Sequence, residues 1–243
     1  MIKKSKKALH FIKGILFDKD GTLFDFHKTW IVAAQEAAAL ASGGDIELAQ
    51  ELLAVGGFDF STGRFLPDSV IAAGNTRELT ELWVDLGAVL PEETLHARME
   101  DVFNRLALEN ASPVTDLETL FSFFRDKDIY TGIATNDSYA GAFAAVKEFK
   151  LKNLTNFVAG YDSGFGSKPG PGMVNAFCRK TGLSSEKIAV VGDSEHDMQM
   201  GRSGGAGLLV GVLTGAGTKQ SLRNSAHLII EDISCLKDLM API

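Results

Sequence analysis

The run Ile15-Leu16-Phe17-Asp18-Lys19-Asp20-Gly21-Thr22-Leu23-Phe24 constrains the chain more than any other stretch. The apolar segment from Phe11 to Phe17, broken only by Lys13 and Gly14, has the character of a short buried strand. It ends in two carboxylates one residue apart, followed by a glycine. In an extended chain Asp18 and Asp20 would point to the same side. Gly21 signals a turn instead, so both acids crowd the exit of the strand. Like charges held that close are costly unless a cation or a shared proton relieves them. Taken alone, Asp-x-Asp-Gly reads equally well as a strand that runs into an acidic turn. A calcium-binding EF-hand loop also begins this way, but the later acidic residue and the flanking helices it needs are missing.

The rest of the chain has two rhythms. After Leu23 the periodicity is helical. Trp30, Ile31, Ala34, Ala37, Ala38 and Ala41 share one face, and Gly43-Gly44 ends that helix. Asp45 caps a second helix carrying Ile46, Leu48, Ala49, Leu52 and Leu53. Asn75-Thr76-Arg77-Glu78 has the form of a capping box before Leu79, Leu82, Trp83 and Leu86. Pro91 suits the first turn of a long helix with Leu95, Met99, Val102, Phe103 and Leu106 in one stripe. Val55 to Gly74 reads as a loop with at most a short helix, because glycines interrupt any period.

From Thr115 helix and strand alternate. A helix opens on a Thr115/Glu118 capping box. Then come strand 129–135, helix 138–149, strand 157–160, helix 171–181, strand 188–192, helix 196–203 and strand 207–212. Short apolar strands separated by helices imply an α/β, Rossmann-like parallel sheet with helices on both faces. The expected organisation is a core of residues 1–25 and 108–243 with an all-helical domain, 26–107, inserted after the first strand. Gly201-Arg202-Ser203-Gly204-Gly205-Ala206-Gly207 is no nucleotide loop. It lacks a Gly-Lys-Ser/Thr ending and precedes a strand where a dinucleotide fingerprint follows one. It reads as a helix-to-strand turn.

Three further polar pieces accompany these strands. Ile129 to Thr135 runs into Asn136-Asp137, Lys168 sits in Ser-Lys-Pro-Gly, and Ile188 to Gly192 runs into Asp193-Ser194-Glu195-His196-Asp197. Together with Asp-x-Asp-Gly-Thr-Leu they resemble, in order, the four motifs of the haloacid dehalogenase-like hydrolase superfamily, most of whose members are Mg²⁺-dependent phosphatases. The resemblance spans nearly the whole chain. A helical insertion at this place is similar to the cap of the phosphoglycolate phosphatase-like branch.

The resemblance implies a role for each motif residue. Asp18 is the expected nucleophile and Asp20 the expected general acid and base. Mg²⁺ is expected on the Asp18 carboxylate, the Asp20 backbone carbonyl and Asp193. Thr135 and the backbone N–H of Asn136 are expected to hold a phosphoryl oxygen, and Lys168 to pair with phosphate and Asp18. Asp197 has two readings, as a further metal ligand or as a residue orienting a water or Lys168. Glu195 and His196 read as a solvated helix start, and Asp137 as the N-cap of the next helix. Dehalogenases of the superfamily lack the second Asp, so Asp20 favours a phosphatase. A phosphomutase resembling β-phosphoglucomutase would use the same residues and is the alternative. A catalytically idle interaction protein is the third reading, and it normally shows a lost motif residue.

Composition narrows the partners. A net charge of −7 runs against nucleic acid, whose backbone needs clustered Lys and Arg. No segment approaches the ~20 apolar residues of a membrane span. Cys178 and Cys235 are too few for a disulfide framework or a thiolate metal site, which fits a cytoplasmic protein. Lys3, Lys4, Lys6 and Lys7 read as a solvated terminus, since Lys13 interrupts the following apolar run and no cleavage site follows. The expected partner is a small phosphorylated metabolite, phosphoglycolate by resemblance, with a sugar phosphate or a nucleoside monophosphate as alternatives. The protein itself is expected as a monomer or homodimer. His27 and Arg64 are either substrate contacts from the cap or surface residues.

Overall fold

The computed structural model describes residue 9 and residues 11–240, and the basic residues Lys3, Lys4, Lys6 and Lys7 lie outside the described residues. The chain begins with β1 (Gly14–Phe17), then α1 (Phe26–Ala41), α2 (Ile46–Gly56), β2 (Phe58–Asp59), β3 (Arg64–Phe65), α3 (Val70–Ala73), α4 (Thr76–Asp85) and α5 (Glu92–Glu109). It continues through α6 (Leu117–Asp126), β4 (Tyr130–Ala134), α7 (Tyr139–Glu148), β5 (Phe157–Ala159), α8 (Gly172–Thr181), β6 (Ile188–Gly192) and α9 (Glu195–Ser203). It ends with β7 (Leu208–Val212), α10 (Lys219–Leu222), β8 (Leu228–Ile230) and α11 (Cys235–Leu239).

Six of these strands form one parallel sheet in the order β5-β4-β1-β6-β7-β8. β1 is paired on both sides and every residue in it is buried, which is why the segment is apolar without alternation. Alternate residues still serve different cores. Ile15 and Phe17 pack with Phe121 and Phe124 of α6, while Leu16 packs with Met173 and Phe177 of α8 and Met198 of α9. Helices therefore cover both faces. β1 is shorter than the apolar run, because Phe11 is 65% exposed and cannot belong to a central strand. β8, which the sequence pattern does not reveal, extends the sheet beside β7.

The segment between β1 and α6 has a core of its own. Trp83, Leu95, Met99 and the α1 alanines Ala34, Ala37 and Ala38 pack together there. Trp83 is fully buried and donates its Nε1–H to the Leu52 carbonyl at 2.9 Å, tying α4 to α2. The Asp45 cap and the Asn75/Glu78 capping box are both present. α6 is capped by Asp116 through the Thr119 N–H rather than by a Thr115/Glu118 box.

The inserted segment is not all helix. Where a loop is expected, Phe58 pairs with Phe65 and Asp59 with Arg64 in an antiparallel hairpin. Aromatic packing stabilises it: the Phe65 ring lies 5.2 Å from Phe58 and 5.5 Å from Phe26. Strands of two residues carry no readable period, so sequence pattern misses them. α5 runs to Glu109, past residue 107. The two connecting strands lie side by side, with the Asp25 N–H on the Ser112 carbonyl at 2.8 Å and the Val114 N–H on the Leu23 carbonyl at 3.0 Å. No described helix is long and apolar enough to cross a membrane. Cys178 and Cys235 are both free.

Replacing Trp83 by Ala removes the largest fully buried side chain and the bond to Leu52. Urea unfolding followed by circular dichroism is expected to show a loss of about 3–5 kcal/mol. A loss under about 1 kcal/mol would mean that this core does not contribute to stability as packed.

Candidate active site

β4, β1 and β6 are neighbours in the sheet, so Thr135, Asp18 and Asp193, which follow them, converge at one carboxyl edge. After Asp18 the chain makes a tight turn in which the N–H groups of Leu23 and Phe24 bond to the Lys19 carbonyl. Gly21 has φ +87°, and a Cβ there would come within 2.8 Å of both Asp193 carboxylate oxygens. Glycine thus meets both the backbone and the packing requirement. Lys168 arrives from the segment between β5 and α8, and Asp197 from the first turn of α9. Asp18, Asp20, Thr135, Asn136, Lys168, Asp193 and Asp197 all line one cavity of about 60 Å³.

Two buried lysines divide the acids between them. Lys168 Nζ donates to Asp18 Oδ1 at 2.5 Å and Asp197 Oδ1 at 2.6 Å. Lys19 Nζ lies 2.7 Å from the Asp20 carboxylate and 3.0 Å from that of Asp137. The two acids of the first motif are thereby drawn to opposite partners. Burial opposes the charge on both lysines, but the paired carboxylates outweigh it and hold each above the ordinary lysine range. The acids shift the other way. Burial pushes Asp18 up to about 7 against the pull of Lys168, with Asp197 and Asp20 adding to the rise. Burial likewise lifts Asp193 well above the usual carboxylate range, with Asp18 and Asp197 adding. Asp137 is raised by burial despite Lys19.

This surplus of buried negative charge suits a hard divalent cation. Asp18 Oδ2 is buried with no hydrogen-bond partner among the described residues. Asp18, Asp193 and Asp197 each offer a carboxylate oxygen within 4.8 Å of the others. Asp197, however, has spent both: Oδ1 on Lys168, and Oδ2 on the Ser194 N–H at 3.1 Å and Oγ–H at 2.7 Å. Its hydrogen bonds orient Lys168. Asp193 uses Oδ2 to accept the Ala216 N–H at 2.9 Å, and the Asp20 carbonyl accepts no hydrogen bond among the described residues. The all-oxygen donor set and the orphaned Asp18 oxygen fit Mg²⁺.

Thr135 Oγ1 accepts the Asp137 N–H at 3.0 Å, which leaves its own hydrogen to donate elsewhere. The Asn136 side chain accepts the Lys168 N–H at 2.8 Å and donates to the Ala73 carbonyl at 2.8 Å, so it fixes the lysine loop and touches the inserted segment. Its backbone N–H makes no hydrogen bond among the described residues.

Two expectations need correction, and a third holds in part: Arg64 is on the surface, as one of its two readings had it, and His27 is not. Asp137 is not the N-cap of α7: Ser138 is, through the Gly141 N–H, and Asp137 is occupied by Lys19. Glu195 and His196 are not simply solvated. The Glu195 N–H donates to Asp68 at 3.1 Å, and His196 Nδ1 lies 3.0 Å from the Ala73 carbonyl. His27 and Arg64 do not line the cavity. His27 is buried with its ring stacked on Phe65, and burial followed by the Arg64 charge lowers its pKa, while Arg64 is exposed on the hairpin. Sequence reasoning also missed Lys19 and the loop Thr214–Gly217. A Cβ at Gly215 would fall 1.9 Å from Asp193 Oδ2. Gly-Ala-Gly, set off by two residues from an apolar strand, was the available signal for that loop.

The family model described as "haloacid dehalogenase-like hydrolase" matches residues 12–205. No curated protein matches the chain. Among solved structures, one assigned to the haloacid dehalogenase-like hydrolases from Bacteroides fragilis shares 15% identity at a TM-score of 0.73, covering 93% of this chain and 99% of its own. One assigned as a phosphoglycolate phosphatase from Lactobacillus delbrueckii subsp. bulgaricus shares 22% at 0.66, covering 95% and 99%. One assigned as a β-phosphoglucomutase from Thermotoga maritima shares 17% at 0.66, covering 94% and 97%. These likenesses show the fold, and the family match spans most of the chain. The chain belongs to the haloacid dehalogenase-like hydrolases.

Proposed function

We propose that the protein is a Mg²⁺-dependent phosphatase that hydrolyses a small phosphomonoester through an aspartyl-phosphate on Asp18. The observation that carries this reading is the state of Asp18 itself. One oxygen is held by Lys168 and the other is buried without a partner beside Asp193, at the meeting point of Thr135 and Asp20. An Asp18 oxygen attacks phosphorus as the bond to the leaving alcohol breaks, and Asp20 gives that alcohol a proton. Asp20 then takes a proton from the water that attacks the acyl phosphate, which releases phosphate and restores Asp18. The Thr135 hydroxyl, the Asn136 N–H and Lys168 are the donors available to the phosphoryl oxygens. Asp18, Asp193 and the Asp20 carbonyl would hold the ion, which when bound offsets the charge of the phosphate and of the acids around it. The inserted segment, facing the same cavity, acts as a cap over the leaving group.

The structural likeness to a β-phosphoglucomutase supports a mutase as the second reading. Slow hydrolysis of every ester, accelerated by a hexose phosphate acceptor, would favour it.

Asp18→Asn is expected to abolish phosphate release with circular dichroism unchanged. Activity within tenfold of wild type would remove Asp18 from the nucleophile's role. Asp20→Ala is expected to slow turnover by about 10²–10⁴-fold. With p-nitrophenyl phosphate, whose leaving group needs little protonation, it should give a burst near one equivalent and then slow turnover. A linear time course would contradict the double role of Asp20.

The raised acids also set a pH dependence that needs no catalysis to observe. Their folded pKa values lie above the unfolded ones, so ionisation destabilises the metal-free protein as pH rises from about 4 through about 7. A cation relieves this where the acids are ionised and competes with protons below it. Saturating Mg²⁺ is therefore expected to raise the melting temperature by roughly 5 °C or more at pH 8 and far less at pH 5. Asp193→Asn should erase the shift. An equal Mg²⁺ effect at both pH values would contradict the assignment.

A further inference from the structure

The wall that the cap contributes to the cavity carries no charge. Phe26, Trp30, Phe103 and Leu79 line it with the segment 70–76 (Val-Ile-Ala-Ala-Gly-Asn-Thr), and none of these side chains ionises. Each nearby cation is committed elsewhere. Arg77, next in sequence, is bound to Glu93 at 2.8 Å and Glu92 at 3.4 Å. His196 presents Nδ1 to the Ala73 carbonyl, and Lys19 is bound between Asp20 and Asp137. Arg64 and His27 do not line the cavity. On the core side five aspartates face it against a single lysine, Lys168.

We infer that the leaving group of the substrate is an uncharged alcohol, so that the phosphoryl group is the substrate's only anion. This rests on the phosphatase reading above and names its substrate class. The positive charge present, Lys168 and the cation that the acids would hold, is matched to one phosphoryl group and to the carboxylates themselves. A carboxylate or second phosphate on the leaving group would lie against uncharged side chains, with no counter-charge on that wall and with the aspartates close by. Removing such an anion from water without a partner is strongly unfavourable. A hydroxyl has no such difficulty. The wall offers it neutral groups, among them the Thr76 hydroxyl and the Trp30 Nε1–H, which is buried without an acceptor. Phosphoglycolate and sugar bisphosphates fit this wall poorly, and a polyol phosphate fits it well.

The test is kcat/KM for phosphate release from glycerol 1-phosphate, phosphoglycolate and 3-phosphoglycerate, measured with Mg²⁺ on the full chain. The neutral leaving group is expected to exceed both carboxylate-bearing ones by at least tenfold. Ile71→Lys and Thr76→Lys, each placing a cation on the wall, are expected to narrow that gap by tenfold or more. Preference below tenfold in the wild type, or for either carboxylate-bearing ester, overturns the inference while leaving the phosphatase reading intact. The wild-type comparison stands even where a lysine variant fails to fold. Absence of release from these esters and from p-nitrophenyl phosphate overturns the phosphatase reading, and the inference with it.

Discussion

Five aspartates share one small cavity at the carboxyl edge of the sheet, and little water reaches them to spread their charge. Two unit charges 4 Å apart interact by about 4 kcal/mol at the effective dielectric of such a site. Uncompensated, that repulsion would rival the stability of an ordinary domain. The surrounding structure answers it in part, with two lysines and a backbone N–H for five acids. Lys168 takes Asp18 and Asp197, Lys19 takes Asp20 and Asp137, and the Ala216 N–H takes Asp193. The glycines at 21 and 215 exist where any side chain would collide with the Asp193 carboxylate. What remains unbalanced is the free oxygen of Asp18, which is where a cation and a phosphoryl group would act.

Each compensating group comes from a different part of the chain, so the site forms only when the parallel sheet is complete. That dependence also explains which parts were readable in advance. Asp18, Thr135 and Asp193 each end an apolar run, and strand ends are visible in a sequence even when pairing is not. Lys168 and Asp197 were recognisable only through the order of the motifs. Lys19 was not readable, because a lysine between two acids looks solvated until burial shows it bridging Asp20 and Asp137. The same bridge explains the misread cap of α7. Asp137 and Ser138 are both good cap residues, and the demand of Lys19 removes the aspartate from the choice. The hairpin at Phe58–Phe65 was lost because strands of two residues are too short to show a period.

The inserted segment and the core meet near the site through the Ala73 carbonyl and the Asp68 carboxylate. The Ala73 carbonyl accepts from Asn136, just past β4, at 2.8 Å and lies 3.0 Å from Nδ1 of His196 in the first turn of α9. Asn136 also holds the backbone of Lys168 at 2.8 Å. The segment that forms the uncharged wall is thus tied to the same residue that steadies the lysine beside Asp18. On the proposed reading, chemistry at phosphorus would be drawn from the sheet edge, and selection of the leaving group from the inserted segment.

The central claim is that phosphorus passes through Asp18. It is tested most directly by acid-quenching the enzyme during turnover of p-nitrophenyl phosphate and mapping phosphate by peptide mass spectrometry. The account predicts an acid-stable, base-labile phosphate on the peptide that contains Asp18, absent in Asp18→Asn and accumulating in Asp20→Ala. Rapid turnover with no phosphopeptide in the Asp20→Ala enzyme, or a phosphate on any other residue, would contradict it.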